Sequence, residues 1–122
     1  MTCKDFYALV GGNYAEAVSR FMSEENVLHF IPKFLSDESF LLLEKGMAGR
    51  DINLAYRAAH TLKGIAQSFG FADLGKSAAV LTEVLRKKTF DGANELFATV
   101  KSDYVKVIDA IKQFLKSQNE EK

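Results

Sequence analysis

A chain with one proline, Pro32, in 122 residues has almost nothing to interrupt a helix, because proline is the residue that removes a backbone donor and clashes with the preceding turn. Tryptophan is absent and cysteine occurs once, at Cys3. No internal disulfide can form, and a single thiol with two widely separated histidines offers no metal-ligand spacing. Net charge is missing too: 16 Lys plus Arg balance 16 Asp plus Glu, which leaves no overall field to recruit nucleic acid or an anionic membrane. Apolar runs are short, Phe40 to Leu43 among them, against the roughly 20 residues that a membrane span requires. The start, MTCKDFYALVGGNY, lacks a signal-peptide pattern, so a cytoplasmic protein is expected.

What the chain does have is 48% apolar content, enough for one continuous core and one domain over residues 1–122. Apolar residues recur at spacings of three and four almost throughout, which predicts helices and no sheet. Asp5 to Val10 reads as a short helix closed by Gly11 and Gly12, and Asn13 caps a second from Tyr14 to Phe21. Ser23, followed by Glu24 and Glu25, opens a helix through Val27, Phe30, Phe34 and Leu35 that Pro32 should kink. Another runs from Ser36 or Asp37 through Phe40, Leu43 and Met47 and ends at Gly49-Arg50-Asp51. Phe71 to Lys88 turns Leu74, Ala78, Leu81 and Leu85 inward, and the last helix continues to near Ser117 before a polar tail, SQNEEK, expected to fray. The fold class is therefore all-α: an antiparallel four-helix bundle with one or two short additional N-terminal helices, its core over about residues 24–117. The stripes can bury one another within one bundle, so a monomer is expected.

The segment from Ile52 to Phe69, capped by Asp51, is the informative helix. At about 100° per residue, Ile52, Ala55, Ala59, Leu62, Ala66 and Phe69 share one stripe. His60, Lys63, Gly64 and Gln67 share a second, roughly 130° around from the first, which should face solvent. Gly70 should end this helix in a left-handed conformation. Near pH 7 an unencumbered imidazole offers a neutral nitrogen with a free lone pair, a competent nucleophile. Lys63 can bring its ammonium beside an anion on that ring; at ~4 Å and an effective dielectric of ~20 the pair is worth about 4 kcal/mol per unit charge before desolvation. Glycine in a helix interior costs about 1 kcal/mol relative to alanine. On a solvent-facing stripe, Gly64 makes sense as a gap through which a reacting group on another protein approaches the imidazole. Gln67 could add a hydrogen bond to a phosphoryl oxygen.

Ala-His-Thr-Leu-Lys-Gly at residues 59–64, followed after five residues by Gly70, resembles the signature of histidine-containing phosphotransfer (HPt) domains of two-component phosphorelays. The likeness extends to Phe30–Phe34, to the helix ending Met47-Ala48-Gly49-Arg50-Asp51, and to Leu74–Leu85. It implies that His60 receives a phosphoryl group from a receiver-domain aspartate and passes it on, that Lys63 assists the phosphoryl oxygens, and that Gly64 permits docking. It further implies that the partners are response-regulator receivers or a hybrid histidine kinase, which supply the aspartate, a bound Mg²⁺ and an active-site lysine, while this chain needs no cofactor or metal of its own. Apolar residues at helical spacing are core by default; for Phe6, Tyr7 and Leu9 the resemblance offers a receiver-docking patch next to His60 as the alternative. One departure is visible: the family often places Glu or Gln on the next helix near the second ring nitrogen, and the corresponding position here is Thr82, with Glu83 beside it.

No glycine-rich phosphate loop accompanies the motif, so a phosphocarrier without kinase activity of its own is expected. The chief alternative is an HPt-like adaptor that binds a receiver or other signalling partner without being phosphorylated. A purely structural helical bundle used for assembly is another, for which the spacing of the final helix would suffice. A hydrolase or metalloenzyme is disfavoured, since no acid pair, second histidine or ligand cluster shares the His60 stripe. His29 has no lysine or glycine at matching offsets and is assigned no role. Arg86-Lys87-Lys88 meets the negative end of its own helix dipole, which explains the run without nucleic acid.

Overall fold

The structure, a computed structural model, describes residues 1–120. Its elements are α1 (Cys3–Leu9), α2 (Tyr14–Phe21), α3 (Glu24–Phe30), a 3₁₀ turn (Ile31–Ser36), α4 (Ser39–Ala48), α5 (Ile52–Ser68), α6 (Ala72–Arg86) and α7 (Ala93–Glu120). No strand occurs among the described residues, and none of their helices is long and apolar enough to cross a membrane.

The bundle comprises α4 to α7. Helix α5 packs between α4 and α6, α6 packs against α7, and the ring closes where Phe40 of α4 stacks on Tyr104 of α7, centroids 4.1 Å apart and planes 6° from parallel. Inward-facing residues of α6 follow the helical period as expected, Leu74, Ala78, Leu81 and Leu85 all being buried. Ahead of the bundle stand three short helices and a 3₁₀ turn, where the sequence pattern predicts one or two helices and a kinked third. The kinked helix divides because Pro32 lacks the N–H that would continue the i→i−4 ladder of α3; it sits instead in the first turn of the 3₁₀ segment, where no such donor is needed.

Helix α7, 28 residues long, reaches about 42 Å at 1.5 Å per residue and gives the N-terminal helices a surface to dock on. Phe6 of α1 packs beside Phe114, the N-terminal ammonium donates to Ser117 Oγ at 2.9 Å, and Gln118 Nε2 donates to the Met1 carbonyl at 3.2 Å. The expected fraying of SQNEEK is thus corrected for its first part: helix continues through Glu120, tied at Ser117 and Gln118, and the last two residues of the tail lie outside the described ones.

The N-terminal pair also fastens the end of α5. Tyr7 Oη donates to the Phe69 carbonyl at 2.7 Å, the Asn13 amide to the Gly70 carbonyl at 2.8 Å, and the Asp73 amide to the Gly11 carbonyl at 3.1 Å. Gly70 occupies φ +75°, and a Cβ there would meet the Asn13 carbonyl oxygen at 2.9 Å. A side chain is therefore excluded both by the left-handed backbone and by the strap lying over it.

Candidate functional site

Asp51 starts the helix that presents the site: its carboxylate accepts from the Leu54 amide at 3.1 Å, satisfying one of the donors that a helix start leaves open. The face toward α4 and α6 consists largely of Ala55, Ala59, Leu62 and Ala66, each at 0% exposure. Small side chains let the neighbouring helices approach closely, so the orientation of α5 about its own axis is fixed. His60 and Gly64 consequently stand exposed in its third and fourth turns, with Lys63 half-buried beside them.

Lys63 has no ion-pair partner among the described residues, so its ammonium is uncommitted. A methyl group built on Gly64 would meet nothing within 4 Å; the missing side chain serves no packing need inside this chain. These three residues are brought together. Gln67 is exposed but stands seven residues beyond His60, roughly 10 Å along the axis. Its Cγ would lie 3.1 Å from a Cβ on Gly75, so the side chain runs toward α6 and away from the imidazole.

Among the aromatic rings of the described residues, the histidine's ring pairs with that of Tyr56, one turn earlier, with centroids 6.0 Å apart and planes 18° from parallel. Thr82 is fully buried and donates its hydroxyl to the Ala78 carbonyl at 2.7 Å. Glu83 is paired with Arg86 at 3.3 Å. Neither bonds the imidazole. His29 is exposed on α3 with its ring edge against Phe30, far in sequence from any part of the cluster. No group of three His, Cys, Asp or Glu among the described residues could hold a metal ion.

The docking patch offered as the alternative needs correction. Phe6 and Tyr7 are 0% and 1% exposed, interior residues of the aromatic cluster with Phe71 and Phe114; of the three, Leu9 alone is exposed. An apolar seam between α4 and α5 reaches the site helix at Thr61, next to His60 in sequence. Leu42 is exposed and, with Leu54, Ala58 and Thr61, lines an open groove of about 260 Å³ along the α4–α5 seam. The signal was present in the sequence: in the run from Phe40 to Leu43, helical spacing sends Phe40 and Leu43 inward, in line with Met47 one turn on, and leaves Leu41 and Leu42 outside.

Cys3 is likewise interior, 4% exposed. Burial foremost, and then the Glu24 carboxylate, push its thiol up to about 11. At pH 8 only about one molecule in a thousand is then a thiolate. The native protein is expected to resist alkylation by iodoacetamide at that pH, and the unfolded protein to react fully; equal rates measured by mass spectrometry would contradict this placement.

The Hpt domain family model matches residues 35–116, from the 3₁₀ turn through most of α7, about two-thirds of the chain, with His60, Lys63 and Gly64 inside the matched range. No curated protein and no solved structure matches the chain.

Proposed function

The chain belongs to the Hpt domain family, whose members serve phosphotransfer in two-component signalling, and we propose that it carries a phosphoryl group on His60 between aspartates of receiver domains. One observation bears most of the weight: the histidine of the motif is exposed on α5 beside an uncommitted ammonium, Lys63, and an open notch at Gly64. A receiver brings the aspartyl phosphate together with its own Mg²⁺. The lone pair of an imidazole nitrogen forms the N–P bond as the P–O bond to the aspartate breaks, and the departing electron pair remains on the carboxylate. The second ring nitrogen keeps its proton during transfer and can release it to water afterwards. Return of the group to another receiver reverses these steps.

On this chain's side the chemistry asks for little beyond position and charge. Lys63 offsets the negative charge gathered when two acidic groups meet at the ring, and Gly64 together with the groove beside Leu42 lets the receiver surface close over them. The test is incubation with a phosphorylated receiver and detection of an acid-labile, base-stable label on the chain. Lys63→Ala is expected to slow labelling about fivefold, the effect of about 1 kcal/mol at a partly screened site, with Lys63→Arg retaining most of the rate. Stopped-flow or quench-flow transfer kinetics measure this, and an alanine variant as fast as wild type removes Lys63 from the site.

A further inference from the structure

Helix register puts Thr82 and Glu83 across from His60. Gly75 of α6 lies against Gln67 of α5 and Arg86 lies over Tyr56, so in an antiparallel pair the residue facing His60 falls at about position 82. Thr82 has spent its hydroxyl on the Ala78 carbonyl, and Glu83 is held by Arg86. The side chains positioned to grip a ring nitrogen from the neighbouring helix are both engaged elsewhere.

The ring that lies beside the imidazole is the phenol of Tyr56, near-parallel at a centroid separation of 6.0 Å and four residues earlier on the same helix. That spacing aligns the two rings on one helix face. Tyr56 is not loose: it is half-buried and shares a groove with Ile52 and Leu85. The Arg86 guanidinium lies 5.6 Å from its ring centroid, with Glu83 Oε1 3.3 Å from Arg86 Nη2. A chain of contacts thus runs from Glu83 through Arg86 and Tyr56 to His60, crossing from α6 to α5.

We propose that Tyr56 is the positioning residue for His60, holding the imidazole plane by ring stacking in place of a hydrogen bond from the next helix. The inference rests on the phosphotransfer reading for its functional consequence, though not for the contact itself. A stack restrains the ring's rotation without engaging either nitrogen, so both remain open, one to attack and the other to exchange its proton with water. Restraint of that kind raises the fraction of encounters in which the lone pair points at phosphorus.

Tyr56→Leu and Tyr56→Phe separate the ring from its hydroxyl. Leucine keeps apolar contact with Ile52 and Leu85 and is a good helix former, and phenylalanine keeps the stack. In the unphosphorylated chain, three-bond couplings of His60 should report one dominant side-chain rotamer in wild type and Tyr56→Phe, and averaged rotamers in Tyr56→Leu. With a saturating phosphorylated receiver, the single-turnover rate should fall about three- to tenfold in Tyr56→Leu, the size of a stacking contribution. The receiver concentration giving half the maximal rate should stay within about twofold, as expected when orientation rather than docking is lost. Tyr56→Phe should restore both readouts. Unchanged couplings in Tyr56→Leu, or a phenylalanine variant no better than leucine, overturn the proposal. A wild type that accepts no label sinks the phosphotransfer reading instead, while the couplings still decide whether Tyr56 holds the ring.

Discussion

Replacing His60 by glutamine is expected to abolish the acid-labile label completely while leaving the fold and receiver binding intact. Glutamine matches the imidazole in polarity and reach and has good helix propensity, and the site is exposed, so the melting temperature should change by no more than the effect of about 0.5 kcal/mol. What the amide lacks is a nucleophilic lone pair, and no other group on this face can supply one. Loss should therefore be total rather than partial, distinguishing a carrier from a protein in which the histidine only assists docking. Autoradiography or phosphate-affinity gels of wild type and His60→Gln, after mixing with the same phosphorylated receiver, read the outcome. A label that persists in the variant moves the chemistry elsewhere, and the candidate is then His29, the second of two histidines. A wild type that binds the receiver without taking label is the adaptor foreseen as the alternative.

The face that carries His60 could be assigned from sequence because the 3.6-residue period makes one helix a self-contained argument. Alanines and leucine at 55, 59, 62 and 66 fix which side is inward, and His60 and Gly64 follow by angle. The N-terminal segment had no such internal reference. Phe6 and Tyr7 sit on a helix of seven residues, too short for a face to be read, and what buries them is Phe71 and Phe114, more than sixty positions later. A local pattern shows that residues are apolar, not which distant element covers them. The same limit hid the Tyr56 contact chain. The i, i+4 spacing of Tyr56 and His60 was legible, but Arg86 joins it only through the register between α5 and α6, which two separate periodicities do not determine. Thr82 illustrates the remaining case: its position could be aligned, yet whether its hydroxyl faced the imidazole or its own helix backbone depended on depth in the bundle.

Two glycines in adjacent helices make opposite predictions for the same substitution. A Cβ on Gly46 would lie 2.6 Å from the Ala55 amide nitrogen and 2.8 Å from its Cα. These are backbone atoms of the site helix, so no rotamer change relieves the overlap and α4 must move away from α5. Overpacking of this kind costs about 3 kcal/mol at the upper end of its usual range, against a helix-propensity gain of about 1 kcal/mol. Gly46→Ala should then lose about 2 kcal/mol and melt about 8 °C lower. Gly64→Ala collects the propensity gain with no opposing contact, since nothing lies within 4 Å of the new methyl, and should melt up to about 4 °C higher. Its cost appears only in the encounter with a partner: a methyl group in the notch beside His60 should slow transfer at subsaturating receiver about tenfold or more, the range that one overpacked contact produces at a close interface. Calorimetry and transfer kinetics on the two alanine variants separate the roles. If Gly64→Ala melted lower, that glycine would belong to the fold; if it passed phosphate as fast as wild type, the notch would not serve an approaching receiver.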